Sequence, residues 1–138
     1  MNDRERFTIS IESGLSSTLE KMVKRSGSRN RSKFVCDMIR ARLVEEEWDD
    51  DQEALGTITI LYDHHQRRLM NALLDIQHAY QERVLCTTHV HLSHELCAEV
   101  IMVRGNASSI RELADRLQRL KGVLHLALST SSTGTRLS

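Results

Sequence analysis

The run Val84-Leu85-Cys86-Thr87-Thr88-His89-Val90-His91-Leu92 is apolar and β-prone, and it is broken by Ser93-His94-Glu95. A second run of the same kind, Leu96-Cys97-Ala98-Glu99-Val100-Ile101-Met102-Val103, follows at once. Two such segments with so short a break predict a hairpin. Side chains along a strand alternate between faces, so His89 and His91 share one. A register pairing His91 with Cys97 keeps the odd-numbered residues of both strands on that face and brings two imidazoles to a thiol. His78, eleven residues before His89 at the end of a helical pattern, is a fourth candidate. Strands that served only a sheet would carry Thr, Tyr or Val at such positions. The cluster reads as a metal site.

The alternative is ordinary packing. A lone buried histidine is usually a hydrogen-bonded core residue, and a lone cysteine behaves as a small hydrophobe. The clustering of His78, His89, His91 and Cys97 is what argues for a metal. Cys86 falls on the opposite strand face, and Cys36 lies in a helical pattern between Val35 and Ile39, so both are expected in the core. His64, His65, His94 and His125 show no comparable clustering, and surface or packing roles are expected for them.

At 138 residues the chain fits one average domain or two small ones. No segment is long and apolar enough to span a membrane, and Met1-Asn2-Asp3-Arg4-Glu5-Arg6 lacks a signal peptide's apolar stretch. With three widely spaced cysteines and no disulfide pattern, the expected location is the cytoplasm. Aromatic residues make up only 4%, which implies thin cores and favours burial by oligomerisation. The net charge of zero conceals a partition. Residues 1–44 carry ten Lys/Arg against five Asp/Glu, residues 45–53 carry seven acids and no base, and residues 54–138 carry nine bases against seven acids. A basic head suggests a polyanionic partner, with a merely soluble surface as the alternative. The acidic run reads as a solvated helix end and linker, because like charges repel and extend.

In the head, Phe7, Ile9 and Ile11 alternate with Arg6, Thr8 and Ser10, which predicts a strand over Arg4–Ile11. Ser13 is a candidate cap for a helix carrying Leu15, Leu19, Met22 and Val23 up to Gly27. Asn30 or Ser32 is a candidate cap for a second helix with Phe34, Val35, Met38, Ile39 and Leu43 as its stripe. One strand makes no stable sheet, and about 44 residues bury too little surface alone, so the strand is expected to pair with its twin in a dimer.

Strand, helix, glycine turn and a helix opening on Asn30-Arg31-Ser32 resemble a ribbon-helix-helix DNA-binding domain. Such domains lay a two-stranded ribbon in the major groove of double-stranded DNA. The resemblance assigns base reading to Arg6, Thr8 and Ser10. Arginine forks onto guanine, and hydroxyls donate or accept at several base edges. Asn30 and Arg31 would hold a phosphate at the start of the second helix, where free N–H groups and the positive dipole end point at the anion. Arg29 and Lys33 are near enough to add contacts. An ordinary solvent-facing strand is the alternative for Arg6, Thr8 and Ser10.

The body reads as strand Gly56–Tyr62, helix near His64–Gln81, strand Arg83–Leu92, strand Leu96–Arg104, helix Ser108–Leu120 and strand Val123–Ser129. This βαββαβ order is ferredoxin-like, the order of ACT-like regulatory domains that bind amino acids and associate through their sheets. Gly105 and Gly122 fall at junctions, and the Ser/Thr-rich tail Thr130–Ser138 is expected to be loosely ordered. The predicted class is therefore α+β: a ribbon-helix-helix βαα domain over 1–48, an acidic linker over 49–55, and an ACT-like metal-binding and tetramerisation domain over 56–138.

A ribbon-helix-helix head joined to this body, with His89-x-His91-x5-Cys97 on the central hairpin, resembles the nickel-responsive transcriptional regulator family (NikR). The resemblance covers nearly the whole chain, and the family's four ligand positions fall on His78, His89, His91 and Cys97. It implies a homotetramer, two DNA-binding dimers flanking four regulatory domains. It also implies one square-planar Ni(II) per subunit, held by His89, His91 and Cys97 of one subunit and His78 of a neighbour. The metal would act as co-repressor at a palindromic operator of nickel-uptake genes. The residues themselves leave the metal open: a mixed N/S set suits Cu(II) or Ni(II) when planar and Zn(II) when tetrahedral. Glu99 is a candidate acceptor for an imidazole N–H, with a solvated charge as the alternative.

One position departs from the family. Some members carry an acid where this chain has Lys33, and with an acid at the position of Asp37 they bind a monovalent cation. Here Lys33 and Asp37 are spaced i, i+4, which allows an ion pair in which the ammonium replaces the cation. Arg67 and Arg68 could reach phosphates, or be simply solvated. The competing functions are a regulator sensing copper, zinc or a small amino acid, and an antitoxin-like protein whose body binds a partner. An enzyme with Cys97 as nucleophile and His91 as base is the weakest, since no oxyanion device or substrate cleft is suggested. The chain is read as a non-enzyme.

Overall fold

The computed structural model describes residues 5–28 and 30–137. The elements run α1 (Ser13–Arg25), α2 (Arg31–Asp49), β1 (Glu53–Asp63), α3 (Arg67–Ala79), β2 (Val84–His91), β3 (Leu96–Asn106), α4 (Ala107–Gln118) and β4 (Val123–Ser131). They form two compact units, divided between Ala41 and Arg42. The division falls inside α2, ahead of the acidic run where the sequence placed the end of the head.

In the first unit, residues 5–12 are in neither helix nor strand. Phe7, Ile9 and Ile11 are 71%, 61% and 42% exposed. The strand expected there is thus not formed over its described residues; a strand exists only by pairing, and the described residues of this unit offer no other strand to pair with. Arg4 lies outside the described residues. Ser13 sits inside α1 rather than capping it. The cap position belongs to Glu12, whose carbonyl accepts the Ser16 N–H at 2.8 Å. Asn30 does cap α2, its Oδ1 accepting the Lys33 N–H at 2.7 Å.

The second unit is a four-stranded antiparallel sheet in the order β2-β3-β1-β4. From Ala54 onward β1 alternates strictly between buried and half-buried positions. Ala54, Ile58, Ile60 and Tyr62 face the helices with Ile101 and Val103 of β3, and Leu69, Leu73, Ile110, Leu113 and Leu117 close that layer. At 25 cal/mol per Å2 of apolar surface, each buried Ile, Leu or Val of this layer contributes about 1.5–3 kcal/mol. Gly56 is placed by close approach: a Cβ there would stand 2.8 Å from Ile110 Cγ2 and 3.3 Å from Trp48 Cη2. Gly122, at φ +105°, makes the expected α4–β4 junction.

The acidic run is less solvated than its composition suggests. It does end a helix, but Glu47 and Trp48 are buried, and Trp48 Nε1 donates to the Ser131 carbonyl at 2.8 Å. Arg111 lies over the indole, 5.4 Å from its centroid, and donates to the Trp48 carbonyl at 3.0 Å. Asp51 accepts the Ser108 N–H at 2.6 Å and so caps α4, while Asn106, at the cap position, makes no side-chain cap bond. Glu53 begins β1 and forks with Arg104 at 3.1 and 3.0 Å. Asp51 and Glu53 stay exposed but are tied to α4 and β3, so the backbone between α2 and β1 runs along the sheet unit instead of spanning open solvent. The tail differs too: Thr130 and Ser131 complete β4, and Arg136 reaches Glu46 at 4.0 Å.

Candidate metal centre

The hairpin forms in the expected register. His91 lies opposite Cys97 and His89 opposite Glu99. Its turn is shaped by Ser93, whose Oγ accepts the N–H groups of Glu95 at 3.3 Å and Leu96 at 3.1 Å. β2 is an edge strand, so the ligand face of the hairpin opens to solvent at one side. Cys97 is 0% exposed while both histidines are exposed. Sγ of Cys97 stands 3.3 Å from His91 Nδ1, and one donor atom each from His89, His91 and Cys97 lie within 4.8 Å of one another. Metal–N bonds near 2.0–2.1 Å and metal–S bonds near 2.3 Å put opposite donors about 4.0–4.4 Å apart, so the cluster closes on a first-row divalent ion with sub-ångström adjustment.

A hydrogen-bond chain fixes the orientation of His89. Thr87 Oγ1 donates to Gln77 Oε1 at 2.8 Å, and Gln77 Nε2 donates to Glu99 Oε1 at 2.6 Å. Tyr62 O–H donates to Glu99 Oε2 at 3.2 Å and stands 3.1 Å from His89 Nδ1. Tyr62 spends its single proton on Glu99, so the bond to His89 must run from Nδ1–H to the phenol oxygen. That leaves the His89 Nε2 lone pair for a metal. Burial, and then the charge of Glu99, push the Tyr62 phenol well above its ordinary value and keep it a donor. Glu99 therefore reaches the imidazole through Tyr62, not directly as the sequence suggested. The parts played by Tyr62 and Gln77 carried no sequence signal: four separate elements, β1, α3, β2 and β3, meet only in the fold.

His78 is exposed in the last turn of α3 and is not among the clustered donors of its own chain. The stripe beside it behaves as expected: Leu69 and Leu73 are buried, and Ile76 and Tyr80 pack against the core. Cys86 is exposed, in line with Met102 on the other sheet face, and Cys36 is exposed as well. The core positions expected for both are not realised.

The remaining candidates are placed as follows. Arg6, Thr8 and Ser10 are exposed. Asn30 is occupied as a helix cap, and Arg31 is paired with Glu20. Arg29 lies outside the described residues. Lys33 Nζ meets Asp37 Oδ2 at 2.5 Å, the pair that the spacing allowed. The Lys33 bond first, with Arg40 adding to it, holds the Asp37 carboxyl below its ordinary value. Arg67 and Arg68 are exposed beside His65 and Lys121 in an open depression. One cluster was missed: Asp63, His64 and His65 bring a donor atom each within 4.8 Å. Their adjacency was the available signal.

Residues 55–131 match the family described as the NikR C-terminal nickel-binding domain. Relatives carrying the name nickel-responsive regulator align along nearly the whole chain. One from Syntrophus aciditrophicus is 41% identical over 97% of this chain and 98% of its own. Another from Geobacter sulfurreducens is 41% identical over 99% of each. A third from Pyrococcus horikoshii is 41% identical over 96% of each. An uncharacterized protein of Thermotoga maritima shares the fold, with a TM-score of 0.53 at 14% identity over 57% of this chain and 98% of its own.

Proposed function

The chain belongs to the nickel-responsive regulator family, a family of regulators and not of enzymes, and on that footing we propose that it is a nickel-dependent DNA-binding repressor. The observation that carries the reading is the His91–Cys97 register, which sets two imidazoles and a buried thiol within 4.8 Å on an open edge strand. His89, His91 and Cys97 supply three donors. The fourth is His78 of a neighbouring subunit, since His78 stands exposed and apart from the cluster of its own chain. One Ni(II) per subunit then fastens two subunits together.

The uncovered Phe7, Ile9 and Ile11 support a dimeric ribbon, because pairing two copies gives the strand its ladder and covers those side chains. Arg6, Thr8 and Ser10 of each copy read bases, while the start of α2, with Asn30 and Arg31, holds a phosphate. The assembly is a dimer of dimers acting in the cytoplasm on a palindromic operator of nickel-uptake genes. No helix of the described residues is long and apolar enough to cross a membrane. Nickel acts by binding one head–body arrangement better than the others, and its effect on DNA is bounded by that difference in affinity.

The test is an absorption spectrum of the nickel-loaded protein, paired with operator binding with and without the metal. Thiolate charge-transfer bands of planar diamagnetic Ni(II), with tighter DNA binding, are expected. A spectroscopically silent tetrahedral zinc site, with DNA binding indifferent to nickel, overturns the reading.

A further inference from the structure

His78 stands one residue before the end of α3, and the chain just beyond it is anchored from three directions. Tyr80 N–H donates to the Gln77 carbonyl at 3.1 Å, and Gln81 N–H to the His78 carbonyl at 3.2 Å. The Tyr80 carbonyl accepts Arg83 N–H at 2.8 Å and Val84 N–H at 3.1 Å, where β2 begins. Local bonds of this kind leave a helix end free to fray. Side chains from elsewhere in the unit hold this one. The Tyr80 ring packs against the core, and its hydroxyl oxygen accepts Arg116 Nη1 from α4 at 3.2 Å. The Arg116 guanidinium lies 5.6 Å from the ring centroid and that of Arg83 5.9 Å, both within reach of the ring quadrupole. Arg83 is itself tied to β3. Its carbonyl accepts Arg104 N–H at 2.9 Å, and its stem passes so close that a Cβ on Gly105 would stand 3.4 Å from its Cδ.

His78, two residues before that ring, is exposed and outside the donor cluster of its own chain. Its reach is therefore set by the backbone of the last turn, and the anchored ring sets the turn. We propose that Tyr80, held by Arg83 and Arg116, is a positioning residue that aims His78 at the metal site of a neighbouring subunit. The proposal rests on the reading of His78 as the bridging ligand. Tyr80 touches no metal. It keeps the turn ordered before the metal arrives, and a ligand already ordered loses less freedom on binding. Because His78 serves a neighbour, the effect of Tyr80 falls on the neighbour's site and not on its own hairpin.

The test uses full-length chains. Tyr80→Leu keeps an apolar side chain against the core, so the sheet unit should still fold. It should bind nickel roughly tenfold more weakly or worse, with the thiolate band at full amplitude once loaded. In the metal-free variant, amide hydrogen exchange at Gln81, Arg83 and Val84 should be faster than in the wild type. Unchanged affinity or unchanged exchange overturns the proposal. If Tyr80→Leu does not fold, Arg116→Gln at its exposed position takes its place, with the same losses expected and the same outcomes decisive. Refolded mixtures then locate the effect. Tyr80→Leu co-assembled with His91→Ala should regain tight sites, because the intact hairpin of the first meets a correctly aimed His78 of the second. Tyr80→Leu with His78→Ala should regain none. If the mixture with His91→Ala regains none while His78→Ala with His91→Ala does, Tyr80 acts on its own hairpin and the positioning role is wrong. If that reference pair fails to complement, the bridging reading itself falls and takes this role with it.

Discussion

Cys97 and Cys86 separate what a thiol does from where it points. Both belong to the hairpin, yet only Cys97 is buried opposite His91, whereas Cys86 is in line with Met102 on the other face. Cys97→Ala should abolish the thiolate band and weaken nickel binding far more than Cys86→Ala; equal losses in a metal titration would refute the ligand assignment. Loading should release protons and weaken as pH falls, since thiol and imidazoles bind only when deprotonated. Tyr62 is a positioning residue, touching no metal itself. Tyr62→Phe removes the acceptor that holds His89 Nδ1–H and leaves the buried Glu99 oxygen without its donor. The expected result is a roughly 10–100-fold loss of nickel affinity with the thiolate band still formed. Unchanged affinity would mean that His89 is oriented by something else.

Elements here are legible to the degree that their logic is local. His89, Val90 and His91 announce a strand face because the side-chain period is two, and the hairpin formed with the pairing that period demanded. The βαββαβ order followed from the same kind of signal. The partners of Trp48, Asp51 and Glu53 were not legible, because Ser131, Ser108 and Arg104 lie more than fifty residues away. Asp51 is testable by pH. The Ser108 N–H holds its carboxyl below the ordinary value, so its stabilisation is full above that value and is lost as pH falls through the lowered one. Asp51→Ala should lower Tm at neutral pH, and the gap from wild type should close in strong acid; a gap that persists there points to lost packing instead. The head is the opposite case, a strand pattern that finds no partner strand among the described residues. If the ribbon forms between two copies, Arg6→Ala should cost on the order of 1–3 kcal/mol at the operator and relax base preference. Arg31→Ala should weaken all sequences alike and reduce the salt slope, as loss of a phosphate contact does. Unaltered relative affinities for operator variants in Arg6→Ala would remove that residue from base reading.

At the scale of the whole molecule, the question is whether one chain can complete the metal site. Three donors gather on the hairpin, and the fourth candidate, His78, is exposed in the last turn of α3 outside that cluster. Its helix is held by Leu69, Leu73 and Ile76, with Tyr80 just past its end, packed against the unit's own core, so turning His78 towards its own hairpin would cost that packing. A second subunit is the less costly source of the ligand, and the exposed edge strand β2 leaves the site open to one. If the site bridges subunits, His78→Ala and His91→Ala should each fail to bind nickel tightly alone and complement each other when co-assembled. The first contributes His89, His91 and Cys97, the second contributes His78, and some mixed interfaces then hold one intact site. Unfolding the two variants together, refolding them and titrating with nickel should recover tight sites that neither parent has. If mass spectrometry shows mixed oligomers and no tight sites return, all four ligands come from one chain, and nickel is not the clamp between subunits.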